Sequence, residues 1–173
     1  MKSLVLTICL IFSQVLLAGT RLPTEKNVDI GRYIGKWYAV LSLPQYFTRS
    51  CVAQTADYAL VGEKTISVLN TCIKANGKTK TIDGKAVVTN PVTNAELVVT
   101  FNNFWTRLFR VKGEYIIVKL SEGYDTVLVG TNDRKSLWIM SRTPGIEEKT
   151  ELEFVTTAKS LGFNTSKLIR SQF

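Results

Sequence analysis

The chain has 173 residues, a net charge of +8 at pH 7 and no histidine. This length is enough for one domain with a core and too short for two. The absence of histidine removes the commonest zinc ligand and the imidazole base of Ser or Cys nucleophiles, which excludes most hydrolase and metal-site hypotheses. Lys and Arg are scattered along the chain, so we expect no nucleic-acid partner, while attraction to anionic membrane surfaces stays open.

The first twenty residues have the pattern of a secretory signal peptide. Lys2 supplies a positive charge, Leu4 to Leu17 is almost wholly apolar, and Leu17-Ala18-Gly19-Thr20 offers small residues for cleavage. The apolar run is shorter than the roughly 20 residues that a membrane span needs. We therefore expect residues 1–20 to be removed and one domain to cover residues 21–173.

Cys51 and Cys72 are the two cysteines of the expected mature chain, because Cys9 lies in the signal segment. An even pair in an exported protein predicts a disulfide. We expect the bond to join two strands of a hairpin with Cys51 directly opposite Cys72, across a Val61-Gly62 turn. A longer, bulged loop fits the sequence equally well.

Short β-rich runs alternate with turn residues along most of the chain, which is typical of an antiparallel sandwich or barrel. The alternation is best at 82–88, where Ile82, Gly84, Ala86 and Val88 share one face. Eight strands in sequence favour an all-β, up-and-down barrel, because closure removes exposed edges. The predicted strands cover residues 36–43, 52–60, 65–73, 80–89, 95–101, 113–120, 125–131 and 136–141.

One α-helix is predicted after the last strand, over residues 146–161. Glutamates crowd its amino-terminal half, where carboxylates suit the helix dipole, and Gly162 is a suitable stop. We expect its apolar side chains to pack on the outer wall of the barrel. These side chains are Leu152, Phe154, Val155, Ala158 and Leu161.

Two motifs resemble those of the lipocalin family. Residues 31–38 (GRYIGKWY) resemble the Gly-x-Trp motif of the first strand, and residues 136–144 (SLWIMSRTP) resemble the end of the last barrel strand. Thr131-Asn132-Asp133 falls at the family's second motif, of which only Thr131 and Asp133 match. The similarity spans about residues 28 to 170 and extends to the bacterial outer-membrane lipocalin (Blc) and apolipoprotein D branch.

The resemblance implies an eight-stranded antiparallel barrel with its C-terminal helix packed outside. Trp37 would close one end, Arg142 would cap its indole, and Gly35 would allow a close backbone approach, so these three residues are expected to be structural. The implied function is binding of a small hydrophobic ligand, a fatty acid or lysophospholipid, for lipid transport or storage in envelope maintenance. We expect no cofactor and no enzymatic activity. The alternatives are another apolar guest, such as a retinoid or bilin, and a lipocalin-type isomerase.

Aromatic residues near strand ends are the candidate ligand contacts, although core packing explains each of them equally well. Residues 103–110 place three aromatics beside Arg107 and Arg110, which could meet a phosphate or carboxylate head. This segment could equally form a barrel mouth, a homodimer contact or a peripheral membrane contact. The candidate ligand-binding residues are Tyr46, Phe47, Tyr58, Phe101, Phe104, Trp105, Arg107, Phe109, Arg110, Tyr115 and Trp138.

Position 20 bears on the location of the protein. Bacterial membrane-anchored relatives carry an acylated cysteine after the Leu-x-Gly/Ala tripeptide of the signal peptide, whereas Thr20 follows Leu17-Ala18-Gly19 here. We therefore expect a periplasmic or secreted protein without this outer-membrane lipid anchor.

Overall fold

The computed structural model describes residues 21–102 and 112–173. All eight predicted strands are present in order, and the sequence prediction did not include the short α1, two 3₁₀ turns (Tyr46–Thr48 and Thr165–Lys167) and β9. The strands are β1 (Gly35–Ser42), β2 (Ala53–Gly62), β3 (Thr65–Ile73), β4 (Thr79–Val88), β5 (Glu96–Phe101), β6 (Gly113–Leu120), β7 (Thr126–Gly130), β8 (Leu137–Ser141) and β9 (Ile169–Arg170). The helices are α1 (Ile30–Tyr33) and α2 (Glu148–Ser160).

The strands close into the predicted up-and-down barrel. Each of β2 to β7 pairs antiparallel with the next strand, and β1 closes the barrel by pairing with both β8 and β2. The β1–β2 pairing is short, from Gly35↔Tyr58 to Tyr38↔Thr55. Beyond this pairing, Leu41 and Ser42 of β1 pair with β9 in place of β2. The C-terminal strand thus covers the part of the β1 edge that does not pair with β2.

The hairpin of β2 and β3 forms, but its predicted register is wrong. Cys72 lies opposite Gln54, and Cys51 precedes the first residue of β2. Leu60 pairs with Ile66, and the ladder shifts by one residue before Gly62 meets Thr65. A bulge therefore precedes a turn at Glu63-Lys64, and the disulfide reaches from β3 to the loop before β2 rather than across the ladder.

The two ends of the barrel differ. At one end, the segment before β1 crosses the strand ends: the Val28 amide donates to the Thr93 carbonyl at 2.8 Å, and the Asp29 amide donates to the Tyr124 hydroxyl at 2.9 Å. We call this the closed end. The opposite, open end carries the loops at 43–52, 74–78 and 131–136, together with the last residue of β5 and the first of β6.

Alternation along the strands separates two apolar clusters. The first, the interior cluster, lies inside the barrel: Val28, Tyr33, Trp37, Ala39, Ala56, Tyr58, Ile66, Val68, Ala86, Val88, Ala95, Leu97, Val99, Ile117, Val127, Val129 and Met140. The second, the outer-wall cluster, lies between strands β1, β6, β7 and β8 and the C-terminal part of the chain. Its buried members are Leu22, Val40, Leu41, Leu43, Ile116, Val118, Leu128, Leu137, Ile139, Phe154, Ala158 and Phe163.

Helix α2 packs on the outer wall as predicted, but it begins at Glu148 rather than 146. Phe154 and Ala158 are buried, and the Lys119 ammonium of β6 lies 2.6 Å from the Glu153 carboxylate. The prediction for Leu152 is wrong, since 67% of its surface is exposed. Phe154, Val155, Ala158 and Leu161 pack against the outer-wall cluster, whereas Leu152 lies on the part of the helix surface that faces solvent. Within the described ranges, no helix is long and apolar enough to cross a membrane.

Candidate functional site

The barrel interior is apolar and lined in part by small side chains. Ala39 of β1, Ala56 of β2 and Ala86 of β4 all belong to the interior cluster. In the described ranges, every buried polar side chain is uncharged; these are Ser42, Thr55, Thr126 and Ser141. An eight-stranded barrel has an interior that side chains fill or that holds one small ligand, and small inward residues favour the second arrangement.

Trp37 lies at the closed end and is completely buried. Its indole N–H donates to the Tyr33 carbonyl at 2.8 Å, and the Arg142 guanidinium carbon lies 3.8 Å from the centre of its ring. Gly35 has a φ of 98°, and a Cβ there would approach the Arg142 guanidinium to 3.3 Å. The left-handed backbone at Gly35 therefore lets β1 start beneath the arginine, which only glycine does without strain.

Three tyrosine side chains meet beside Trp37, whose ring contacts that of Tyr33, and we call them the tyrosine cluster: Tyr33, Tyr58 and Tyr115. The Tyr115 hydroxyl lies 2.6 Å from that of Tyr33 and 3.1 Å from that of Tyr58. The rings of Tyr33 and Tyr58 are stacked with centroids 6.0 Å apart, and the Tyr115 ring meets Tyr58 edge-on. The cluster therefore places three hydroxyl groups among the apolar side chains of the interior cluster.

Burial changes the acidity of all three phenols. The main cause is removal of the hydroxyl groups from water. It raises the pKa of Tyr58 to about 12 and the pKa values of Tyr33 and Tyr115 well above the ordinary value of a phenol. For Tyr33 and Tyr115, the neighbouring tyrosines raise the pKa further. The cluster is therefore neutral throughout the physiological range, and its environment disfavours negative charge.

The other predicted ligand contacts divide into two described groups. Phe101 and Trp138 are half-buried and pack against the interior cluster. Tyr46 and Phe47 lie in a 3₁₀ turn at the open end, with 78% and 72% of their surfaces exposed. They do not join the interior cluster, and the Arg49 guanidinium lies 4.5 Å from the Tyr46 ring centre.

The remaining candidates lie outside the described residues. These are Phe104, Trp105, Arg107, Phe109 and Arg110, between the end of β5 and the start of β6.

The predicted disulfide between Cys51 and Cys72 is confirmed, with a Cα–Cα distance of 5.3 Å. Cys51 ends the loop that carries Tyr46 and Phe47, and Cys72 lies near the open end of β3. The bond therefore attaches this loop to the barrel wall at the mouth.

Sequence reasoning missed Tyr33 as a site residue. Tyr58 and Tyr115 were candidates as aromatic residues near the ends of predicted strands, whereas Tyr33 precedes β1 and belongs to a helix of four residues. The available signal was Asp29, whose carboxylate accepts a hydrogen bond from the Arg32 amide at 3.3 Å and so caps this helix. Nothing in the local sequence indicates that Tyr33 reaches a strand more than eighty residues away.

Comparison with known proteins decides the family. The profile of the lipocalin-like domain matches residues 28–172, which is most of the chain. The chain belongs to the lipocalin family. The resemblance inferred from the Gly-x-Trp and Leu-Trp-Ile-x-Ser-Arg-Thr segments is therefore confirmed.

Relatives of this lipocalin are found in plants and bacteria. Temperature-induced lipocalin-1 of Arabidopsis thaliana is 35% identical over 146 residues, covering 83% of this chain and 78% of the relative. Outer membrane lipoprotein Blc of Escherichia coli K12 is 34% identical over 145 residues, with the same coverage, and bovine apolipoprotein D also matches. Insecticyanin of the tobacco hornworm Manduca sexta shares the fold, with a TM-score of 0.68 at 20% identity over 89% of this chain and 85% of that one.

Proposed function

We propose that this lipocalin is an exported carrier that holds one small hydrophobic ligand inside the barrel, for lipid transport or storage. The observation that carries the proposal is the interior itself, which is closed by Trp37, apolar along its wall and lined by Ala39, Ala56 and Ala86. Such a lining favours a guest that is mostly hydrocarbon. Fatty acids and lysophospholipids, in the setting of envelope maintenance, are the ligand class that the family resemblance implies.

Two features of the chain support the other parts of this proposal. The Cys51–Cys72 disulfide suits an oxidising compartment outside the cytoplasm, and the signal-like residues 1–20 suit export. Cys51 in a disulfide has no free thiol for the isomerase alternative, so we propose a binding protein rather than an enzyme. A retinoid or bilin-like guest remains the rival ligand class.

A pair of substitutions at neighbouring positions of β4 tests whether the ligand lies inside. Ala86 points into the interior cluster with 5% of its surface exposed, while Val87 points outward with 44% exposed. We expect the wild type and Val87→Phe to bind the neutral apolar dye N-phenylnaphthylamine with a rise in fluorescence. Ala86→Phe fills the interior and should weaken binding at least about tenfold. Equal binding by both folded variants would contradict an interior site.

A further inference from the structure

The three hydroxyls of the tyrosine cluster have one more donor than they use. A phenol hydroxyl carries one proton and accepts through its oxygen lone pairs. Two hydrogen bonds join the three groups, both at the Tyr115 oxygen, so two of the three protons are used. Among the residues that the structure describes, no acceptor is recorded for the third proton.

The exposure of the three side chains favours one placement of this proton. Tyr33 and Tyr58 are almost fully buried, with 2% and 9% of their surfaces exposed, whereas Tyr115 is half-buried. A buried donor without an acceptor costs about 1–3 kcal/mol, so the favoured arrangement satisfies the two most buried groups. Tyr33 and Tyr58 then both donate to the Tyr115 oxygen, and the Tyr115 proton, which has no acceptor within residues 21–102 and 112–173, is left for a ligand.

The position of Tyr115 directs this proton into the barrel. Tyr115 lies on β6 two residues before Ile117, on the same inward face, and it packs against the interior cluster. Its neighbours Tyr33 and Tyr58 lie next to the Trp37 plug, with the Tyr33 and Trp37 ring centroids 5.2 Å apart. The free donor therefore lies on the inner face of the barrel wall, among the apolar side chains that would surround the hydrocarbon part of a ligand.

The charges around the cluster decide what kind of acceptor fits. The Arg142 cation acts on the cluster electrostatically, but four of its five N–H groups already donate to the carbonyls of Arg32, Tyr33, Lys36 and Tyr124. A carboxylate on this floor would lose its hydration without a two-pronged hydrogen bond from Arg142 to replace it, which is a large cost. The raised pKa values of the cluster tyrosines agree, because they reflect the same penalty on negative charge.

We propose that the Tyr115 hydroxyl binds an uncharged oxygen at the inner end of the ligand, so that the guest is a long-chain ketone, ester or alcohol that enters oxygen-first. This inference rests on the proposed carrier function and narrows its ligand class. A fatty-acid carboxylate would have to remain at the open end instead.

Displacement of N-phenylnaphthylamine by three matched competitors tests the inference. Methyl undecyl ketone carries a neutral acceptor, tridecane carries none, and dodecanoate carries a charge. For the wild type we expect the ketone to bind about threefold to tenfold more tightly than tridecane, the range for one net neutral hydrogen bond. Dodecanoate should show no such advantage.

Three tyrosine variants assign the preference to one hydroxyl. Tyr115→Phe should abolish the difference between ketone and tridecane. Tyr58→Phe should retain it, because Tyr33 still donates to Tyr115 and the Tyr115 proton stays free. Tyr38→Phe is the control, since Tyr38 lies outside the interior cluster and packs edge-on against Phe173.

A measurement on the wild type keeps the test decisive if Tyr115→Phe does not fold. The carbonyl stretch of the bound ketone, isotope-labelled at that carbon, should lie at lower frequency than in alkane solvent, as expected for a hydrogen-bonded carbonyl. An unshifted band, a ketone preference that persists in Tyr115→Phe, or tighter binding of dodecanoate overturns the inference while leaving the carrier function intact. If neither the dye nor any competitor binds, the carrier function fails, and this inference fails with it.

Discussion

The Arg142 guanidinium lies 3.8 Å from the centre of the Trp37 ring and donates four hydrogen bonds to backbone carbonyls around it. Those carbonyls belong to α1, to β1 and to the loop between β6 and β7, so one side chain joins the segments that close the barrel. Desolvation lowers the pKa of Arg142, which nevertheless remains a cation under all ordinary conditions.

Trp37→Ala and Arg142→Ala should lower stability before they affect ligand affinity. We expect the loss of the buried indole to cost about 3–5 kcal/mol, and the loss of the guanidinium, with its cation–π contact and hydrogen bonds, to cost about 3 kcal/mol. Urea unfolding measures the cost, and dye titration measures the affinity of the folded fraction. Arg49→Ala is the control, because it removes a cation–π contact on the exposed Tyr46 ring. Lost affinity with an unchanged unfolding midpoint would instead make Trp37 or Arg142 a ligand contact.

Reduction of the disulfide should lower the melting temperature. Cys51 and Cys72 are separated by 21 positions, and closing a loop of this size stabilises by about 3 kcal/mol in the chain-entropy model. Cys51→Ser with Cys72→Ser should have the same effect without reductant. Thermal melting followed by circular dichroism checks this prediction. An unchanged melt after thiol labelling has shown complete reduction would contradict it.

Alkaline pH should destabilise the protein through the tyrosine cluster. The pKa of Tyr58 is raised to about 12, and those of Tyr33 and Tyr115 are raised well above the ordinary value, whereas an unfolded phenol ionises near about 10. Because the unfolded state loses these protons first, the stabilisation is complete below about pH 10 and is lost as the pH rises toward about 12. Urea midpoints against pH and the ultraviolet absorbance of phenolate measure both effects. A folded protein whose six tyrosines ionise together, as in denaturant, would be inconsistent with a buried cluster.

The exposed aromatics at the mouth should contribute to peripheral membrane contact. Tyr46 and Phe47 project from the open end beside Arg49, a composition that suits the interface of anionic vesicles. We expect Tyr46→Ser with Phe47→Ser to weaken vesicle binding about tenfold in a sedimentation assay. Val92→Ser is the matched control, because Val92 is 84% exposed in the loop between β4 and β5 at the closed end. An equal loss of vesicle binding in both variants would contradict the prediction that the open end faces the membrane.

The strands were predictable from the sequence because each is a short β-rich run between turn residues, and in β4 one face is buried and the other exposed, which is a local signal. Gly84, Ala86 and Val88 are buried, while Asp83, Lys85 and Val87 are exposed. Register was not predictable in the same way. The β2–β3 pairing depends on a bulge after Leu60 and on a disulfide that leaves the ladder, and a cysteine pair constrains distance without specifying a strand position.

The candidate site was predictable only in part, for a related reason. Tyr58 and Tyr115 were identifiable as aromatic residues near strand ends, but their contact depends on how the closed barrel brings β2, β6 and α1 together. Tyr33 lies in a helix too short to leave a periodic pattern. Long-range closure of this kind leaves no trace in any single segment of the sequence.

Native mass spectrometry of the mature protein, purified without detergent, tests the carrier function most directly. Any retained molecule would then be released under denaturing conditions and identified. We predict a complex with one small hydrophobic molecule per chain. A protein that is empty and shows no dye or lipid binding by fluorescence would keep the lipocalin fold but would contradict the carrier function.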